Sequence, residues 1–116
     1  MTREQYDNIA ESSRHLALLK AIVLEDDAVE RNKDILTQAP TDSFRYGEAD
    51  YYQDCLNRKS DTCSTFTRDN YGFTATYTAG AQDELVFFSV PWEAGWSATV
   101  NGEEAIIEKV NVGLCG

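Results

Sequence analysis

Basic residues are scarce in this chain. Ten Lys and Arg stand against twenty Asp and Glu, a formal net charge of -10 over 116 residues. A chain this acidic repels DNA and anionic lipid, which excludes a basic nucleic-acid module. The shortage deepens toward the C-terminus: residues 69–116 hold Asp69, Asp83, Glu84, Glu93, Glu103, Glu104 and Glu108 against Lys109 alone. Long apolar runs are also missing. The longest, at 16–19, 21–24 and 85–88, are core-sized and far short of the roughly 20 residues of a membrane span. The opening Met-Thr-Arg-Glu-Gln-Tyr lacks a signal-peptide pattern. That points either to a cytosolic chain or to a piece of something larger. Histidine occurs once, as His15. A nucleophile triad would have only that residue for its base, and no Ser or Cys sits in an elbow context. His15 itself reads as a helix-surface or core residue. Three cysteines, Cys55, Cys63 and Cys115, form no C-x-x-C and lie far from His15, so no zinc-ligand spacing exists. Neither a metal nor a cofactor is expected. Glu25, Asp26 and Asp27 lack the alternating ligands and glycine of a calcium loop, and read as a solvated acidic turn.

Hydrophobic residues at 42% and aromatics at 11% supply a core, which argues against disorder. Two domains would each have only about 58 residues, a marginal size, so one domain over 1–116 is expected. Repeats, low-complexity tracts and flexible linkers are absent from the sequence. Thr2 and Gln5 form a capping-box pattern, and Tyr6, Ile9, Ala10, Ser13, Leu16 or Ala17, and Lys20 recur at helical spacing. One or two helices are expected over 3–20, with 21–24 entering as a strand. Residues 28–42 read as a surface connection with one helical turn, ended by Pro40. From Gly47 to Lys59 the apolar spacing is again helical, with Glu48 and Asp50 at the start and Arg58 and Lys59 at the end, the order that suits a helix dipole.

At Thr65 the period changes from 3.6 to 2. Phe66, Arg68, Tyr71, Phe73, Ala75 and Tyr77 alternate with polar or small residues. A turn is expected over 80–83, a central strand over 84–90 ended by Pro91, and a further strand over 96–100. Asn101-Gly102 is a strong type I′ hairpin signal, with Val100 facing Glu103, Ala98 facing Ala105 and Trp96 facing Ile107. The return strand is expected over 105–110, reaching toward Val112. The fold class is therefore α+β, mainly β: helices over about 1–60 packed on an antiparallel meander, sheet or sandwich, over about 65–116.

The run Leu85-Val-Phe-Phe-Ser-Val-Pro-Trp-Glu-Ala-Gly-Trp-Ser-Ala-Thr-Val-Asn-Gly-Glu-Glu, followed by Ile106-Ile-Glu-Lys-Val-Asn-Val-Gly-Leu, is distinctive. It resembles the C-terminal extracytoplasmic domain of the YfhO family of bacterial multipass membrane proteins. Cys63-Ser-Thr-Phe-Thr-Arg-Asp-Asn-Tyr-Gly-Phe and Leu18-Leu-Lys-Ala-Ile-Val-Leu-Glu-Asp are similar to that family as well. The resemblance implies a parent like the polyprenyl-phosphate-dependent glycosyltransferases, linked to glycosylation of cell-envelope polymers such as lipoteichoic acid. It places this chain at the extracytoplasmic face, with the parent's transmembrane region as a partner. The catalytic carboxylate of such a parent lies in its N-terminal membrane region, so no catalytic residue is carried over. The family pattern continues with further strand beyond Leu114. A chain ending at Gly116 is therefore expected to be one or two strands short and to associate with itself through an edge at 105–112.

Two functions follow from different classes. The chain is either a non-catalytic envelope-facing module that positions substrate or stabilises the membrane part, or a structural, protein-interaction β domain without a ligand. For the first, Trp92 and Trp96 beside Glu93 can cover the C–H face of a glycan or lipid-linked sugar, and Asp69 and Asn70 are further contact candidates. For the second, Trp96 is a hairpin core residue, Trp92 a loop anchor, and Asp69 and Asn70 make turn bonds to the backbone. A hydrolase needs two carboxylates facing across a cleft, and no spacing singles out such a pair. Cys55 and Cys63 either pair in a disulfide, if the helix ends near Lys59 and the chain turns back, or remain half-buried free thiols. Cys115 reads as a packed thiol.

Overall fold

A computed structural model describes residues 1–80 and 84–116. Most of the turn expected over 80–83 lies outside the described residues. Among the described residues four helices precede seven short antiparallel strands, an α+β fold leaning to β. The helices are α1 (Arg3–Asp7), α2 (Glu11–Lys20), α3 (Asp26–Arg31) and α4 (Glu48–Ser60), with a 3-10 turn at Thr41–Ser43. The strands are β1 (Thr65–Arg68), β2 (Phe73–Thr76), β3 (Phe88–Pro91), β4 (Ala98–Val100), β5 (Glu103–Ala105), β6 (Lys109–Val110) and β7 (Leu114–Cys115).

The capping box forms as expected: Thr2 Oγ1 accepts from Gln5 N at 3.1 Å, and Gln5 Oε1 accepts from Thr2 N at 2.9 Å. The acidic trio is not a turn. Asp26 and Asp27 begin α3, where carboxylates suit the positive end of the helix dipole. After α2 the chain is extended, and alternation sends Val23 and Leu24 to opposite sides. Val23 joins Met1 and Ala17 in a core lined by Tyr6, Leu18 and Phe44. Leu24 joins Ala28 and Val110 in a second core, against Leu36, Leu85 and Leu114. Leu24 bridges parallel to Thr2 and antiparallel to Val110, so the N-terminal segment lies directly against β6.

The strands do not form one continuous meander. They form two hairpins, β1–β2 and β4–β5, and a three-stranded sheet in the order β3-β7-β6. The expected central strand over 84–90 is ladder-paired only from Phe88. Upstream, Leu85 is spent on the second core instead. The partner of β3 is β7, with Phe88 opposite Cys115 and Pro91 opposite Leu114 across a register shift. The backbone bond from Trp92 N to Gly113 O, 2.9 Å, extends this pairing. Strand β4 does meet β5 in the expected register, Val100 with Glu103 and Ala98 with Ala105. Trp96 leaves that ladder: its indole donates to Pro91 O at 3.2 Å, and its backbone N to Glu93 O. A tight loop over 91–96 thus replaces the expected Trp96–Ile107 pair.

The return strand breaks after Ala105, and β6 and β7 are joined by the turn 110–113. Asn111, Val112 and Gly113 all have positive φ, of 48°, 68° and 148°. A β-branched residue such as Val112 takes that conformation only under constraint. The constraint is Asn111, whose backbone N donates to Val23 O at 2.9 Å while its Oδ1 accepts from Val23 N at 2.9 Å. Of the edge expected beside Val110, Val112 and Leu114, Val110 and Leu114 are paired, and Val112 lies exposed in the turn. Strand β7 has β3 on one side and β6 on the other, and Val110 has Leu24 across from it.

Candidate functional site

The alternation of β1 and β2 places Phe66 and Phe73 on one face of their hairpin and Thr65, Thr67, Thr74 and Thr76 on the other. The threonine face is exposed and held by cross-strand contacts, including Thr65 Oγ1 to Thr76 Oγ1 at 2.9 Å. On the other face Phe66 stacks on Phe73 with centroids 5.1 Å apart. Phe73 meets Phe88 of β3 at 4.9 Å and the edge of Trp96 at 5.9 Å. This aromatic row links the hairpin to β3 and to the 91–96 loop. The β1–β2 turn is built by Asp69, whose Oδ1 accepts from Tyr71 N at 2.7 Å and from Gly72 N at 2.9 Å. A Cβ at Gly72 would lie 3.3 Å from the Trp96 ring, so glycine lets the turn settle against the indole. Phe66 is 51% exposed and Tyr71 is 96% exposed.

The structure therefore gathers Trp96 and the turn carrying Asp69 and Asn70 at one end of the molecule. Trp92 has different neighbours: its ring lies under Lys109 Nζ, 5.9 Å from the centroid. Both indoles are half-buried, and Glu93, Asp69 and Asn70 are exposed. This end can offer ring faces bordered by carboxylates and amides, a surface suited to stacking. Of its carboxylates, Asp69 holds the turn.

His15 is exposed on α2. Cys55, within α4, and Cys63, beyond its end, are half-buried free thiols. Cys115 is buried, with Sγ 3.7 Å from Pro91 O. Burial raises its pKa, which keeps it protonated and inert. Among the described residues no cluster of His, Cys, Asp or Glu could hold a metal ion.

Three polar arrangements were not anticipated from the sequence. Glu108 is only 6% exposed, and it accepts from Arg31 Nε at 2.9 Å, Arg31 Nη2 at 2.8 Å and Asn32 Nδ2 at 3.0 Å. The Arg31 guanidinium, helped by Asn32, holds this carboxyl below its ordinary range against the opposing effect of burial. The signal was a single acid inside the apolar run Ile106-Ile-Glu-Lys-Val.

The second is a cleft of about 600 Å³ between α2, α4 and the 3-10 turn, with Lys20, Arg45, Asp50, Asp54, Asn57 and Arg58 in its wall. Lys20 Nζ reaches Asp54 at 2.6 Å, and Arg58 Nε donates to Leu19 O at 2.9 Å. The i, i+4, i+8 spacing of Asp50, Asp54 and Arg58 was its sequence signal. The third is Tyr77, whose hydroxyl donates to Asp61 Oδ1 at 3.0 Å. Glu84 and Asp61 raise its pKa and keep it neutral.

Comparison with known proteins finds no matching family model, no matching curated protein and no matching solved structure.

Proposed function

We propose that this chain is a non-catalytic, envelope-facing module of a YfhO-like multipass membrane protein implicated in glycosylating cell-envelope polymers. Its task is to position a glycan or lipid-linked sugar, or to brace the membrane part. The observation that carries this reading is the aromatic end, where the Trp96 indole adjoins the Asp69–Gly72 turn and Tyr71 stands almost fully in solvent. A ring face can cover the C–H side of a sugar while neighbouring amides and carboxylates take its hydroxyls. Asp69 holds its turn through Oδ1, which leaves Oδ2 for a ligand hydroxyl.

A second reading, a structural or interaction domain without a ligand, is favoured by a different pair of contacts. The Trp96 indole N–H is already satisfied by Pro91 O, and one approach to the Trp92 ring is covered by Lys109. Titration of the isotope-labelled chain with a glycosylated glycerol-phosphate oligomer separates the two. The first reading predicts amide shift changes at Asn70 and Tyr71 and at the Trp96 indole, weakened about tenfold or more by Tyr71→Ala, whose exposed ring does not serve the fold. An unchanged spectrum up to millimolar oligomer favours the second.

A further inference from the structure

Helix α4 presents its two faces in an unusual sense. At 3.6 residues per turn, Asp50, Asp54, Asn57 and Arg58 share one face, and this polar face is the one turned toward α2 and the cleft. The opposite face holds Tyr52 and Leu56, with Cys55 toward its margin and Tyr51 at the border beside Arg58. Tyr52 is 68% exposed, Leu56 55% and Tyr51 45%. A helix normally buries such a stripe against its own core. Here the stripe is the outward side of a 13-residue helix, about 20 Å long. Glu48 and Lys59 lie on the same outward face at its two ends, and among the described residues neither makes an ion pair.

We infer that the outward face of α4 is an interface for a second copy of this chain, paired antiparallel about a two-fold axis that crosses the outward face at the level of residue 54. The self-complementarity of the face selects the occupant. An axis at residue 54 sets Tyr52 of one chain on Leu56 of the other, and brings Glu48 beside Lys59 of the other at both ends of the contact. A parallel pair would oppose like charges instead, Glu48 on Glu48 and Lys59 on Lys59. An isologous contact needs one patch that complements itself, and this one does so in shape and in charge order. The contact is small and the net charge of -10 on each chain opposes it. The dimer is therefore weak, concentration-dependent and strengthened by salt.

Sedimentation equilibrium over a hundredfold range of concentration tests this on the chain as it stands. The weight-average mass should climb from 13.0 kDa toward twice that value, and more readily at higher salt. Leu56→Glu should weaken association at least tenfold with an unchanged thermal melt, because the side chain is exposed. Glu48→Lys and Lys59→Glu should each weaken it, and the double variant should restore it. Mild oxidation should link copies through Cys55, near the axis; Cys55→Ser should abolish the cross-link and Cys63→Ser should not. A monomer at every concentration overturns the inference. So does association that survives Leu56→Glu, or a double charge variant no better than the singles. Vesicle binding by the chain that is lost with Leu56→Glu would assign the face to a lipid surface and overturn it as well.

Discussion

Glu108 illustrates how one side chain ties distant parts of this chain together. Its carboxylate lies among apolar neighbours of the β5–β6 connection, and it survives there because Arg31 and Asn32, at the end of α3, neutralise and hydrogen-bond it. An acid buried without such partners would be protonated or expelled. Its pKa is depressed in the folded state, so its contribution is fully present above the ordinary glutamate value of about 4.3 and is lost as pH falls through the lower folded value. Glu108→Gln should lower stability by about 1–3 kcal/mol at neutral pH, the cost of partners left unsatisfied. The gap between the two proteins should close as pH falls below about 4. Chemical denaturation across pH 7 to 3 checks this, and a gap independent of pH contradicts it. The sequence showed an acid in an apolar run, but its partner lay 77 residues away, beyond the reach of any local pattern. Asp69 was legible for the opposite reason, because its bonds run only two and three residues along the chain.

At the scale of elements, local signals translated well and non-local pairing did not. The capping box at Thr2, the dipole-ordered charges of α4 and the Asn101-Gly102 turn each act within a few residues, and each forms. The apolar run 85–90 gave no sign that its ladder partner would be β7 rather than a neighbouring strand. Periodicity reports which face is buried, and says nothing about what buries it. The same holds for α4. Its apolar spacing marks it as a helix, yet the stripe turns outward, because the charged face is engaged by Lys20 and by the carbonyl of Leu19. The β1–β2 hairpin is two-stranded and would be marginal by itself; the aromatic row docks it. Trp96→Ala removes the ring that touches both Phe73 and the Gly72 turn. The cost should be about 2–3 kcal/mol, below the full burial range because the indole is half-exposed. A loss under about 0.5 kcal/mol would show that the row does not hold the hairpin.

For the whole molecule, the decisive feature is the junction between the first two dozen residues and the last eight. Leu24 bridges Thr2 and Val110, Asn111 clasps both backbone groups of Val23, and β7 fills the middle of its sheet. The N-terminal amine adds a bond to Ile22 O at 2.6 Å. The helical part and the strand part are joined along this line, and the positive-φ turn at 111–113 is the form the chain takes to make it. Native-state hydrogen exchange, resolved by residue, tests the claim most directly. The amides of Val23, Leu24, Asn111 and Gly116, from both ends of the chain, should exchange slowest and with one common opening free energy. Those of the exposed β4–β5 hairpin should exchange much faster. Amides at 23–24 that open independently of 111–116, or as fast as those of β4, would contradict the account.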